Sequence, residues 1–382
     1  MDVSIHYDEK RLKAFNSRIE AVENFERPDR VPCIAVICQR YLMEMVAGGY
    51  TLDYFQSAEK MANYQISFAK WRSEHVFDDS VVSEVSISPY FENISESGGL
   101  GCEIHWTKGN PPRSIPFMKE PEDVDRWEVP DWENGEGLWG NKLKYYWDMV
   151  EYAKSVAVTI NGKHMHPYVT YPGRLNLAPV TVAVDMVGME RLWSWMFRYP
   201  DVVHRLLSKV VDEEIKWEKY CRSLIDPKPQ GIDGLSDDAA ATLSPKLFRE
   251  YSVPYLNRIY DAFPGMRGLH MCGNFGHQID IYLRNLKITH LQSFGYQVDP
   301  AIIGEKFGGR VVMSGNISPM VIFEGPPSRI MKAAKHAIES LAPHSGFILQ
   351  DGANICPGTS IRNLRVMLTA VEKYGKYEDF GT

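Results

Sequence analysis

His270 and Cys272 stand two residues apart in GLHMCGNF (268–275), with glycine on either side. On an extended segment, residues i and i+2 point to the same side, so an imidazole and a thiolate would share one face. Zn2+ favours such a mixed nitrogen and sulfur set. Taken alone, the pair has an ordinary structural explanation, because cysteine is a common core residue and a lone histidine often bonds only a backbone carbonyl. A second cysteine adds weight. Cys356 lies in QDGANICPGTS, beside a Pro-Gly turn signal, where a role in an apolar core is less natural. His270, Cys272 and Cys356 would supply three ligands and leave one position open, as in catalytic rather than structural zinc sites.

Other groups with chemical potential lie near ends of extended segments. Asp237 and Asp238 close GIDGLSDD (231–238). One of them could orient His270, bind a phenol or donate a proton, although acids also commonly decorate a helix start. Gln292 and Tyr296 in ITHLQSFGYQ, Asn316 after RVVMSG, and Tyr171 in VTYPGR are candidate substrate contacts. Tyr41, Tyr90, Phe91, Trp106, Phe294 and Met313 could join Tyr171 and Tyr296 in a slot for a planar ring, or serve as packing.

These residues require elements to hold them. From about residue 165 onward, short apolar runs alternate with amphipathic helical patterns, which implies a parallel sheet. Strands are expected at 166–173, 231–238, 268–273, 288–295, 310–316 and 347–352. VPCIAVIC (31–38) and a segment near 76–85 raise the number to the eight that close a barrel. Helices are expected at 10–24, 53–72, 181–198, 201–224, 327–341 and 360–374. The one at 201–224 carries Val202, Val203, Leu206, Leu207, Val210 and Val211 on one stripe. Ser244-Pro245 and Asp299-Pro300 are helix-start signals. The expected fold is α/β, a (β/α)8 TIM barrel over residues 1–382, with an N-terminal extension and a long early insertion at 95–140. That insertion begins with a hairpin-like stretch (95–117) and could serve as a lid, a docking surface or a dimer interface. In such a barrel the functional groups sit at the C-terminal ends of the strands.

Composition excludes several classes. With 44% hydrophobic and 24% charged residues, the 382-residue chain is that of an ordinary globular protein. A net charge of −7 without a basic run argues against nucleic acid as a partner. The charged N-terminus lacks a signal-peptide core and no run could span a bilayer, so a cytoplasmic location without membrane attachment is expected. The six cysteines are scattered, which makes reduced thiols the default.

The chain resembles the uroporphyrinogen decarboxylase superfamily, and within it the zinc-dependent, corrinoid-linked methyltransferases. The resemblance rests on the order and spacing of RPDRVPCIAV (27–36), APVTVAVDMVGMERLWSWMFRYPDVVHRLL (178–207), GIDGLSDDAAATLSPKLFREYSVPYLNRI (231–259), HMCG (270–273), VDPAIIGEKFGGRVVMSGNISP (298–319) and DGANICPGTSIRNLRVMLTAVEKYG (351–375). It implies a single (β/α)8 barrel, with zinc on His270, Cys272 and Cys356. It also implies cobalamin carried by a separate corrinoid protein, and a small methylated substrate. Decarboxylase members use an RQAGRY-type segment to hold carboxylates. The matching VICQRYLMEM (36–45) keeps Arg40 and Tyr41 but loses the other arginine. Some relatives carry an acid on the strand after HxC; here that strand offers only Gln292, with Gln297 beyond it. The expected activity is transfer of a methyl group from a methoxylated, aromatic substrate to cob(I)alamin. The alternatives are methylcobalamin:thiol methyl transfer and a decarboxylase-like lyase. A homodimer is compatible with the sequence.

Overall fold

The computed structural model describes residues 3–380. Its centre is a parallel sheet of five strands: β1 (Ile232–Ser236), β2 (Arg267–His270), β3 (His290–Phe294), β4 (Val312–Ile317) and β5 (Phe347–Asp351). They pair in sequence order, so each strand lies beside the next. The register places Ser236, His270 and Gln292 at one level. Single parallel bridges extend the sheet at both edges, from Ser236 to Leu177 and from Leu349 to Cys33.

The remaining wall is looser than the sequence pattern suggests. Where a strand is expected near 76–85, carboxylates replace the ladder. Asp79 Oδ2 accepts from Cys33 N and Asp78 Oδ2 accepts from Ala35 N. The strand itself is only Ser86–Ile87, paired in parallel with Tyr168–Val169, which is all that forms of the expected 166–173 strand. Asp side chains bond nearby backbone in place of ladder partners. The architecture is of the TIM-barrel type, with continuous pairing across five strands and single bridges at both edges; among the described residues the expected eight strands do not pair into a closed barrel.

The helices follow from local signals. Helix Pro200–Ser223 buries Val203, Leu206, Leu207, Val210 and Val211 along one stripe. The expected helix 181–198 is two, Pro179–Val187 and Met189–Arg198, because Gly188 between them takes φ +91°. Ser244 Oγ caps the next helix by accepting from Leu247 N, and Asp299 caps another from Ala301 N.

Helix Glu9–Glu23 closes the sheet at the end away from the strand C-termini. Val22 packs with Val312 and Ile348, and Glu23 Oε2 lies 2.8 Å from His290 Nε2. The 95–140 stretch is mostly anchored. Ser95–Gly99 is a buried helix, and Trp127, Trp132 and Trp139 enter the main core, Trp139 stacked on Trp217 at 4.9 Å. The antiparallel hairpin of Glu103–His105 with Arg113–Ile115 is largely exposed, as are 133–137.

The strands approach too closely beneath the site for a side chain at Gly268, where a Cβ would stand 1.9 Å from Asp233 O. Gly268→Ala is expected to destabilise the protein by about 3 kcal/mol through forced backbone displacement. Urea unfolding monitored by tryptophan fluorescence checks this as a lowered midpoint.

Candidate metal centre

Strand β2 ends at His270, and the chain turns so that Cys272 stays beside it. The ligand atoms of Asp238, His270 and Cys272 all lie within 4.8 Å of one another. Each is only partly buried, as a site open to substrate requires. The imidazole is oriented by backbone: His270 Nδ1 lies 3.0 Å from the Gln292 carbonyl oxygen. With Nδ1–H donating there, Nε2 is left as a lone-pair donor facing the site, 3.8 Å from Asp238 Oδ2. The other oxygen of Asp238 accepts from the backbone N of Cys272 at 2.8 Å. One carboxylate therefore ties the chain at Cys272 and also faces the imidazole.

The Cys272 thiol is pushed up to about 12, first by burial and then by the charge and hydrogen bond of Asp238. A cation among the three groups would reverse that repulsion and hold a thiolate. Nitrogen, sulfur and carboxylate oxygen are the donors that zinc accepts. The residues present fit a zinc ion.

Cys356 is not in this group. Its loop is tied to the first wall segment by Ile355 N donating to Val36 O, and its Sγ sits 3.9 Å from Met320 Sδ. Asp238 stands beside His270 and Cys272, brought there by the turn after β1 rather than by any sequence spacing to His270.

The neighbouring Asp237 has a different fate. Asp237 lies in the turn between β1 and a short 3-10 helix that starts at Asp238, and its side chain enters the packing behind the sheet. It is fully buried, accepting from Ser252 Oγ at 2.5 Å and Thr181 Oγ1 at 3.3 Å, and burial pushes it up to about 7. It does not face the metal-ligand atoms.

The candidate substrate contacts also separate. Tyr171 lies away from the mouth, its hydroxyl donating to Glu218 of helix Pro200–Ser223 at 3.0 Å. Gln292 lays its amide against Gly234 and serves His270 through its carbonyl, a role with no signature in residue type. Buried Asn316 donates to Val298 O at 3.1 Å, bracing the loop that carries the exposed Tyr296. Of the proposed aromatic slot, Tyr41, Phe91, Phe294 and Met313 are core, whereas Tyr90, Trp106 and Tyr296 are exposed. Asp351 was not anticipated. It ends β5 buried, accepts from Val36 N at 2.9 Å, and is pushed up to about 7 by burial. Its only sequence signal is the Asp-Gly that closes a strand.

The family described as uroporphyrinogen decarboxylase (URO-D) matches residues 14–374. A curated relative named uroporphyrinogen decarboxylase from Xanthomonas oryzae pv. oryzae is 23% identical, over 94% of this chain and 99% of its own length. Another of that name, from Xylella fastidiosa, is 23% identical over 72% of this chain and 77% of its own. Among solved structures, a methyltransferase from Methanosarcina mazei superposes with a TM-score of 0.65 at 20% identity, covering 94% of this chain and 98% of that one. No helix among the described residues is long and apolar enough to cross a membrane.

The two aspartates are expected to separate in experiment. Asp238→Ala should weaken zinc binding by at least about 10-fold in competition with a chelating dye, while Asp237→Asn should leave it nearly unchanged. Because Asp237 is raised in the folded state, its contribution to stability falls as pH rises from its ordinary 3.8 towards about 7. Asp237→Asn should flatten that decline in a series of thermal unfolding curves against pH.

Proposed function

The chain belongs to the uroporphyrinogen decarboxylase family, and on that footing we propose that it is a zinc-dependent methyltransferase. Its substrate would be a methoxylated aromatic compound, and its methyl acceptor the cob(I)alamin of a separate corrinoid protein. The observation that carries this reading is the convergence of Asp238, His270 and Cys272 at the strand ends. The fold shared with the Methanosarcina mazei methyltransferase is compatible with it.

The chain's own residues have definite tasks in this reaction. His270 presents Nε2 because Nδ1 is held by Gln292 O, and Cys272 presents sulfur because its backbone is held by Asp238. Zinc held by these residues would supply Lewis acidity toward the ether oxygen, whose alkoxide or phenoxide otherwise leaves poorly, and cob(I)alamin on the partner would be the methyl acceptor. Exposed Tyr296, Met320 and Phe323, carried on segments that follow β3 and β4, offer apolar surface for a ring. Arg40, the arginine kept in the segment that resembles the decarboxylase motif, donates to buried Glu92 at 3.0 Å. Its charge is thus balanced within the protein, which favours methyl transfer over recognition of a polycarboxylate.

Elemental analysis of protein purified without chelators should give one zinc per chain, lost in Cys272→Ser. Mixing the zinc form with cob(I)alamin and methoxyarenes should produce the methylcobalamin spectrum, at least about 100-fold more slowly in Cys272→Ser. Zinc without arene demethylation, but with methylation of a thiol from methylcobalamin, would select the thiol reaction. Zinc loss in Cys356→Ala would show that the 353–359 loop closes onto the ion. Zinc-free wild-type protein would sink the reading.

A further inference from the structure

The apolar stripe of helix Pro200–Ser223 does not end at Val211. It continues at the same spacing through Glu214, Trp217, Glu218 and Cys221, all buried. Two carboxylates therefore face inward where the pattern calls for aliphatic side chains. Glu214 interacts electrostatically with Glu96 of the buried helix Ser95–Gly99, and Glu96 and Glu218 do so with Lys142 of helix Gly137–Ser155, each also buried.

The hydrogen-bond inventory of this region does not close within the protein. Among the described residues, eight buried side-chain polar atoms lack a partner, and five of them are Glu96 Oε2, both Glu214 oxygens, Glu218 Oε2 and Trp139 Nε1. Lys142 Nζ donates to Ser95 Oγ at 2.7 Å, which leaves ammonium protons to place. Glu96 uses its other oxygen on Asn176 N at 2.6 Å, and Glu218 uses its own on Arg222 Nε at 2.6 Å and on Tyr171. Buried polar groups are rarely left unpaired, and internal water is the usual missing partner.

A bare metal ion fits less well. Asp238, His270 and Cys272 form the one group among the described residues whose three ligand atoms lie within 4.8 Å, so Glu96, Glu214 and Glu218 are too dispersed to close on a single ion. Water bridges wider gaps, since two hydrogen bonds through one oxygen join atoms roughly 5 Å apart. Charge fixes the protonation. Lys142 and Arg222 offset two of the three carboxylates, and the groups acting on Glu214 are the acids Glu96 and Asp237. We infer that Glu96, Lys142, Glu214 and Glu218 enclose an internal water site, with Glu214 held as the neutral acid that donates into it. Burial together with Glu96 and Asp237 pushes Glu214 well above the usual carboxyl range, in agreement. The site joins the anchored part of the 95–140 segment to the wall of the barrel. It is separate from the metal-ligand group, and its fate does not depend on the activity proposed above.

A high-resolution crystal structure of the whole chain is expected to show ordered water within hydrogen-bond distance of Glu214 and of Glu96 or Lys142. Infrared difference spectra at pH 7 should show a protonated-carboxyl band in the wild type that is missing in the near-isosteric Glu214→Gln. Glu214→Leu should lower the Tm by several degrees, because the water would lose its donor. Glu214 oxygens that meet only protein atoms in the crystal, no difference between wild type and Glu214→Gln in that band, or a Tm raised by leucine as in a dry site, would each overturn the inference.

Discussion

The bond from the backbone nitrogen of Cys272 to Asp238 sets the geometry of the mouth. The chain leaving β2 after His270 is held on one side by Gly295 N donating to Met271 O at 2.9 Å and on the other by this 2.8 Å contact. It places a thiol, a carboxylate and an imidazole within a few ångströms of one another, a combination that repels a thiolate unless a cation joins it. The same carboxylate faces His270 Nε2, and the Gln292 carbonyl decides which ring nitrogen can do so. Three adjacent strands thus each contribute one fixed element: β1 through the turn carrying Asp238, β2 through His270, and β3 through a backbone oxygen.

Behind this polar mouth the structure places a second set of carboxyl groups with a different purpose. Asp237 is held by Ser252 and Thr181 in the packing between sheet and helices. Glu214 lies near it, on the face of a helix whose earlier turns are aliphatic. Burial raises both acids and favours their neutral forms. The partly exposed acid Asp238 serves the mouth while the buried Asp237 and Glu214 serve the wall. The separation follows from side-chain direction, not from residue type.

Much of the scaffold was legible in the chain. Helix 327–341 was placed to the residue, and the caps at Ser244 and Asp299 form as their residue types suggest. Each of these depends on neighbours within about one turn. The errors have local causes too. Gly188 divides a helix because the chain turns there at positive φ. The early wall segments are not full strands because Asp78 and Asp79 take up the backbone amides that a ladder would use. The candidate site was legible only in part: His270 and Cys272 adjoin in sequence and in space, whereas Tyr171 proved to serve Glu218.

The sequence by itself determined the alternation of strands and helices, the resemblance that names the family, and the pairing of an imidazole with a thiol at one strand end. These are matters of period, spacing and neighbouring residues, which a linear chain carries openly. Only the tertiary structure decided that Asp238 stands beside His270 and Cys272, that Asp237 turns away from them, and that a backbone carbonyl sets the histidine. Those choices depend on how a loop leaves its strand and on which loop stands beside it. Separation along the chain does not encode which loops meet at one end of a sheet.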